Sequence, residues 1–351
     1  MRKVVIVSLR FNPAFIQFLI AYAKAVRELG YQAAFLLDPT YRRFAEVESA
    51  APIFGVESAY GQQWTHAVFL NPAIQNRDIA AALKRDGAKV LYIFHEPWDM
   101  SLGYLRSEGV ASTMKAILAH RATIPVLKLA DTVILASRYG MKVYEKGDAR
   151  FNGNCVYIPL IMEDEAPENI VRDLTMKRNF GFCGALCRSH GFDQYVSFMR
   201  DVFRRRADVR FLVASRDPFP PSIMRDPSFS QNRDRIEIRC GRPLSNEEMN
   251  LCYAECFCIW NLYRRSTQSA VLPKAFMFGT PVIASQIGSF PEYVEEGVNG
   301  RFAEANNLDG ILGALEEVRS HLGAYAVNCR QTFLKEFFYG SRLADIRRLL
   351  L

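Results

Sequence analysis

Four short stretches hold the residues whose types and spacing suit chemistry. In NLYRRSTQSAVLPKAF, residues 261–276, an apolar run gives way to a helical pattern. The first amides of such a helix, at Ser269, Ala270 and Val271, are unpaired donors at a positive dipole end and suit a diphosphate. Arg264 and Arg265 stand just ahead of them, where guanidinium groups add charge-assisted bonds. Ser266 and Gln268 offer polar groups to a nucleotide or sugar, and Lys274 places a cation in the helix's first turn. In GFCGALCRSHGFD, residues 181–193, Gly184 lets backbone approach a ligand while Arg188 or His190 reaches a phosphate. In FHEPWDMSLGY, residues 94–104, His95 and Glu96 occupy a strand's carboxyl end, the position of a base or a sugar-hydroxyl partner, with Trp98 as a stacking surface. In GSFPEYVEEGVNGRF, residues 288–302, Pro291 starts a short helix that Gly297 ends, and Asn299-Gly300 forms a turn. Glu292 lies in that helix's first turn, where a carboxylate is favoured by the dipole alone. Each residue also has a plain reading: a capped helix, an exposed loop cation, a hydrogen-bonded histidine.

The elements that must position these residues follow from the apolar runs. KVVIVS (3–8), YQAAFLLDP (31–39), HAVFL (66–70), KVLYIFHEP (89–97), DTVILAS (131–137) and CVYIPLI (155–161) are short and apolar, as strands buried on both faces are. Between the first two, Asn12 caps and Pro13 begins a helix with Phe15, Phe18, Leu19, Tyr22, Val26 and Leu29 on one stripe, closed by Gly30. After the polar, acidic stretch MEDEAPENIVRDLTMK (162–177), alternation restarts with NFGFCGAL (179–186), VRFLVAS (209–215), RIEIRCG (235–241), CFCIWNL (256–262) and PVIAS (281–285). SNEE at 245–248 opens an intervening helix with a capping box. Two parallel α/β halves are therefore expected to meet near residue 170, with ligands beyond the carboxyl ends of the strands, in a cleft between the halves.

Composition excludes several classes. The 351 residues fit two domains. A formal charge of +7 is too dispersed for a nucleic-acid groove. RRRADVR (204–210) and RLADIRRLLL (342–351) are the basic clusters that would touch an anionic membrane surface, or else solvated helix faces. The eight cysteines lack the spacing of a zinc site or a disulfide framework, which points to buried thiols in a reducing cytoplasm. No transmembrane helix is expected, and the apolar start is interrupted by Arg10 and Asn12, unlike a signal peptide. Neither half carries a GxGxxG or GxxxxGK[ST] loop.

FGTPVIASQIGSFPEYVEEGVNGRF (278–302) closely resembles the GTPVIAS…PE.V…G.NG segment of GT-B glycosyltransferases, especially the retaining family 4 enzymes, and IEIRCGRPLSNEEMNLCYAECFCIWNLY resembles the segment before it. Weaker echoes, TVILASRYG, VYIPLI and GFD, extend over most of the chain, and no DxD triplet exists. The resemblance implies an α/β GT-B fold of two Rossmann-like parallel-sheet domains facing a central cleft: 1–170 on the acceptor side, 171–335 holding a nucleotide sugar, and 336–351 packing back on the first. It implies a metal-independent, cofactor-free retaining transferase that moves a hexose or deoxyhexose from a nucleoside diphosphate sugar to a glycan or lipid-linked acceptor. Its setting would be the cytoplasm, at the inner face of a membrane, in bacterial surface polysaccharide assembly. His95 would lie near the transferred sugar, Glu96 and Trp98 on the acceptor side, and Glu292 near the nucleotide.

The chain departs from that family at its paired glutamates, which fall on Ser266 and Lys274, and in the phosphate loop, where arginine and lysine fall on Ala185 and His190. An ammonium cannot accept ribose hydroxyls as a carboxylate does. Three readings of Lys274 stand open: a phosphate contact, a decayed donor site in a non-catalytic partner of another transferase, or a surface residue.

Overall fold

The computed structural model describes residues 2–97, 102–167 and 173–351. The chain divides into two compact units, one ending at Glu163 and completed by Glu336–Leu351, the other spanning Asp164–Lys335.

The first unit is a seven-stranded parallel sheet of β1 (Lys3–Ser8), β2 (Gln32–Leu37), β3 (Ile53–Phe54), β4 (His66–Phe69), β5 (Lys89–Phe94), β6 (Thr132–Leu135) and β7 (Cys155–Tyr157), in the order β3-β2-β1-β4-β5-β6-β7. The direction of winding reverses between β1 and β4, so their carboxyl ends border the unit's natural crevice. After β1 the Asn12 side chain accepts from Ala14 N (3.1 Å), starting a 3₁₀ turn that runs into helix Ile16–Glu28. Phe18, Leu19, Tyr22 and Val26 of the expected stripe are buried. The loops bordering the crevice are tied by buried amides: Asn71 Nδ2 donates to Ser8 Oγ (2.9 Å) and Asn76 Nδ2 to Asn71 O (2.6 Å). The terminal segment joins this unit through a parallel bridge of Met162 with Phe338, and Tyr31 Oη donates to Leu350 O (3.0 Å).

The second unit is a six-stranded parallel sheet of β8 (Asn179–Cys183), β9 (Arg210–Ser215), β10 (Ile236–Cys240), β11 (Cys256–Asn261), β12 (Val282–Ala284) and β13 (Gly300–Phe302), in the order β10-β9-β8-β11-β12-β13. Here winding reverses between β8 and β11. The core is aromatic: Tyr195 meets Trp260 edge-on at 5.2 Å and Phe182 at 5.3 Å, and each fully buried ring contributes about 2–3 kcal/mol. The capping box forms as expected, with Glu248 N donating to Ser245 Oγ (3.1 Å) and Ser245 N to Glu248 Oε2 (2.8 Å). All eight cysteines are free, and burial raises the thiol pKa of seven buried or half-buried ones, Cys155, Cys183, Cys240, Cys252, Cys256, Cys258 and Cys329. They are therefore protonated packing residues.

Two strands escape the sequence patterns. β3 is two residues long, and β13 occupies Gly300–Phe302, where the Asn299-Gly300 pair suggests a turn. The turn closes one residue earlier: Asn299 Oδ1 accepts from Glu295 N (2.8 Å), and the chain then pairs Gly300 with Val282. The helix expected from Pro291 to Gly297 is a single 3₁₀ turn, Phe290–Glu292.

Candidate functional site

At the reversal point of the second sheet the loops after β8, β11 and β12 converge. Arg264 joins the first two. Its Nη1 and Nη2 donate to Asp193 Oδ1 (2.6 Å) and Oδ2 (2.8 Å), Nη1 also reaches Arg188 O (2.7 Å), and its backbone N donates to Ser189 O (2.8 Å). Partial burial works against ionisation of Asp193, yet the paired guanidinium holds its carboxyl below the usual range. Beside this clamp the His190 ring stacks on Tyr263 at 4.4 Å and 12°, and Tyr263 meets Phe290 edge-on at 5.4 Å. Gly191 permits the approach. Its φ is +71°, and a Cβ there would lie 2.4 Å from Leu262 O.

The loops after β11 and β12 are pinned to each other as closely. Ser289 N donates to Ser266 O (3.1 Å), and Ser266 Oγ lies 3.2 Å from Gln268 O and 3.4 Å from Ser289 Oγ. Ser266 is 5% exposed, so its hydroxyl serves loop structure and is no nucleophile. Gly184, Ala185 and His190 are half-buried along the β8 loop, while the side chain of Arg188 is exposed. Arg265, Gln268, Ser269, Ala270 and Val271 are half-buried along the next loop, and Glu292 is half-buried in the 3₁₀ turn of the third.

Three expectations need correction. The helix starts at Val271 with Ala270 as N-cap and runs seven residues, Val271–Met277, so Ser269 precedes it and contributes no helical amide. Arg264 spends its charge on Asp193 and acts as a clamp between loops. Lys274 is 6% exposed, and its Nζ is ion-paired with Glu165 of the segment entering this unit, above the Phe278 ring. It is therefore neither a surface residue nor a cation reaching toward a diphosphate. Burial lowers its pKa and Glu165 opposes that shift. Asn246 and Asn250, one turn apart, donate to the same carboxylate at 2.8 and 3.2 Å. Asp164 beside it is ion-paired with Arg330. The acidic stretch after β7 thus includes anchors of the second unit. Its charge density was the sole sequence signal for Glu165, and nothing local pointed to Tyr263.

In the first unit His95 stands at the carboxyl end of β5, its ring stacked on Phe15 at 4.7 Å and against Phe18 at 5.7 Å. Burial brings its pKa down to about 4, a hydrogen bond with Leu70 backbone opposing, so the imidazole is neutral at pH 7. Glu96 is exposed, and Trp98 lies outside the described residues. The folded protein takes up the His95 proton near pH 4 and the unfolded chain near 6.5, so stability rises with pH across that window and is lost as pH falls through it. At most about 3 kcal/mol rests on this group. His66, also lowered to about 4 by burial, titrates in the same window. Denaturant unfolding of His95→Asn and His66→Asn at pH 4 and 7 should show a smaller acid loss for each than for the wild type; identical pH profiles would refute the assignment.

Among the described residues no three His, Cys, Asp or Glu side chains gather as a metal site, and no helix is long and apolar enough to cross a membrane.

Residues 177–321 match the family model of glycosyl transferases group 1, so the second unit carries that domain. No curated protein matches the chain in sequence. Solved structures share the whole fold. Anabaena Alr3699/HepE in complex with UDP superposes with a TM-score of 0.71 at 14% identity, over 99% of both chains. Sucrose-phosphate synthase from Thermosynechococcus elongatus gives 0.71 at 14%, over 99% of this chain and 98% of that one. A mutant of TarM from S. aureus, in complex with Fondaparinux, alpha-GlcNAc-glycerol and UDP, gives 0.75 at 8%, over all of both. At these identities the likeness establishes the GT-B fold of two Rossmann-like domains.

Proposed function

We propose that this chain, carrying a group 1 glycosyl transferase domain on a GT-B fold, is a retaining glycosyltransferase that moves a hexose or deoxyhexose from a nucleoside diphosphate sugar to a glycan or lipid-linked acceptor. Surface polysaccharide assembly at the cytoplasmic face of a membrane is the setting that suits such an acceptor. The observation that carries the reading is the convergence of three loops at the reversal point of the second sheet, where the Arg264–Asp193 clamp and the His190–Tyr263 stack frame a crevice flanked by the exposed Arg188 side chain. A diphosphate would take its bonds from Arg188, His190, Arg265 and backbone amides of the glycine-containing loop, and Glu292 would flank the nucleoside. Such donors stabilise the charge that develops on the leaving diphosphate. With Ser266 buried in loop structure, attack on the same face as the departing phosphate fits better than a covalent sugar intermediate on that residue. The absence of a DxD triplet supports a donor site that needs no metal. His95, neutral at the strand end of the first unit, would accept or donate a hydrogen bond near the transferred sugar.

Calorimetric titration with UDP, GDP, ADP, dTDP and CMP, without added metal, tests the reading, and UDP comes first because it is the nucleotide in the complexes of HepE and TarM. Micromolar binding of one nucleotide, weakened at least about tenfold in Arg188→Ala/His190→Ala, is the expected result. The Ser266 and Lys274 departures favour one second reading, a non-catalytic partner of another transferase. Silence with all five nucleotides would replace the enzyme with that partner.

A further inference from the structure

The helix Leu102–Leu129 of the first unit is broken at Gly109 (φ +78°, ψ +171°), and its part after the break, residues 110–129, is still longer than its neighbour, Asn76–Arg85, against which it packs. Their carboxyl-terminal ends are level, because Lys84 Nζ donates to Leu129 O (2.8 Å) and pairs with Asp131 (2.7 Å). From that level the shorter helix climbs about 14 Å and residues 110–129 climb about 28 Å. Residues before about 119 therefore rise past the start of the shorter helix. The burial pattern agrees. Thr123, Val126, Leu127 and Ala130 are buried, whereas Val110, Met114 and Leu118 are 71%, 52% and 60% exposed.

Those three residues recur every four positions and so form one stripe. Arg121 continues the stripe and is exposed, as are Lys115 and Lys128. Residues 109–130 contain no Asp or Glu. The basic clusters singled out from the sequence differ in this respect. Arg204 and Arg205 pair with Asp201 and Asp309, and Arg342 and Arg348 pair with Glu336 and Asp345, so much of their charge is answered within the fold.

We propose that the projecting part of this helix docks on an anionic lipid surface, with Val110, Met114 and Leu118 entering the headgroup region and Lys115 and Arg121 meeting lipid phosphates. A projecting helical stretch with an apolar stripe and no acid from residue 109 to 130 suits a fluid, negatively charged interface. The docking goes beyond the transferase reading and does not depend on a working donor site.

Flotation of the full chain with phosphatidylcholine vesicles, with and without phosphatidylglycerol, reads the proposal directly. Binding should require phosphatidylglycerol, weaken with salt and fall at least about tenfold in both Val110→Ser/Met114→Ser/Leu118→Ser and Lys115→Glu/Arg121→Glu. All five side chains are exposed, so melting temperatures should stay at the wild-type value. Wild-type protein that ignores anionic vesicles, or binding unchanged in both variants, overturns the proposal. An oligomer in solution that the serine variant dissolves, with no vesicle binding, assigns the stripe to a second copy and overturns it too. Nucleotide titration of the same variants should match wild type, which separates a failed docking surface from a failed donor site.

Discussion

Gly288→Ala should destabilise the second unit by roughly 3–5 kcal/mol and lower its melting temperature by roughly 10 °C or more. The residue has φ +58°, in the region that side-chain-bearing residues rarely adopt, and an added Cβ would lie 1.8 Å from Ser266 O and 2.9 Å from its carbonyl carbon. Both obstacles are backbone, so no side chain can swing aside. Relief requires the loop after β12 to back away from the loop after β11, which breaks the Ser289 N to Ser266 O bond and separates the two hydroxyls. Since these loops border the crevice proposed to hold a nucleotide, any folded fraction should bind its nucleotide at least about tenfold more weakly. Gly297→Ala is the matched control. It has φ +76° with open space around it, so the conformational cost alone remains, about 1 kcal/mol. Thermal melts of the two variants side by side decide the matter: equal melting temperatures would mean that the loops do not approach as described.

The elements were more legible than the contacts. Parallel strands announced themselves as apolar runs because both faces of each are covered, and Ser245 with Glu248 announced a helix start because both capping bonds are local. β13 carried no such run, and its place is set by parallel pairing of Gly300, Arg301 and Phe302 with Val282, Ile283 and Ala284 of β12. At the site, sequence supplied the charges and withheld their partners. Arg264 read as a phosphate ligand until Asp193, 71 positions away, was seen to hold it. Lys274 read as displaced from a ribose site or lost to the surface until Glu165, 109 positions away, was seen beneath it. Pairing at such separations is a product of the folded topology, and a charge has no local pattern that names its counterion.

That buried pair yields the second large expectation. Lys274→Ala removes the cation and leaves Glu165 enclosed with two asparagine donors, which should cost about 3–5 kcal/mol. Lys274→Glu, which restores the residue that the family resemblance leads one to expect, should fare worse, because it sets two carboxylates together where one already lacks a cation. The exchange Lys274→Glu/Glu165→Lys should recover part of the loss, so the coupling in a double-mutant cycle should be strongly favourable. Glu165→Ala has a different signature. Burial already lowers the Lys274 pKa, and without Glu165 nothing of comparable strength opposes it. The unfolded chain then binds more protons than the folded one between the folded pKa and the usual lysine value, so stability of this variant must rise with pH through that window, more steeply than in wild type. Denaturant unfolding at neutral and alkaline pH reads both effects. A folded, fully stable Lys274→Glu would place Glu165 elsewhere and reopen residue 274 as a ribose ligand. The expected failure of that variant means that the chain has committed this position to anchoring the entering segment, and that any nucleoside diphosphate bound here owes its ribose contacts to other residues.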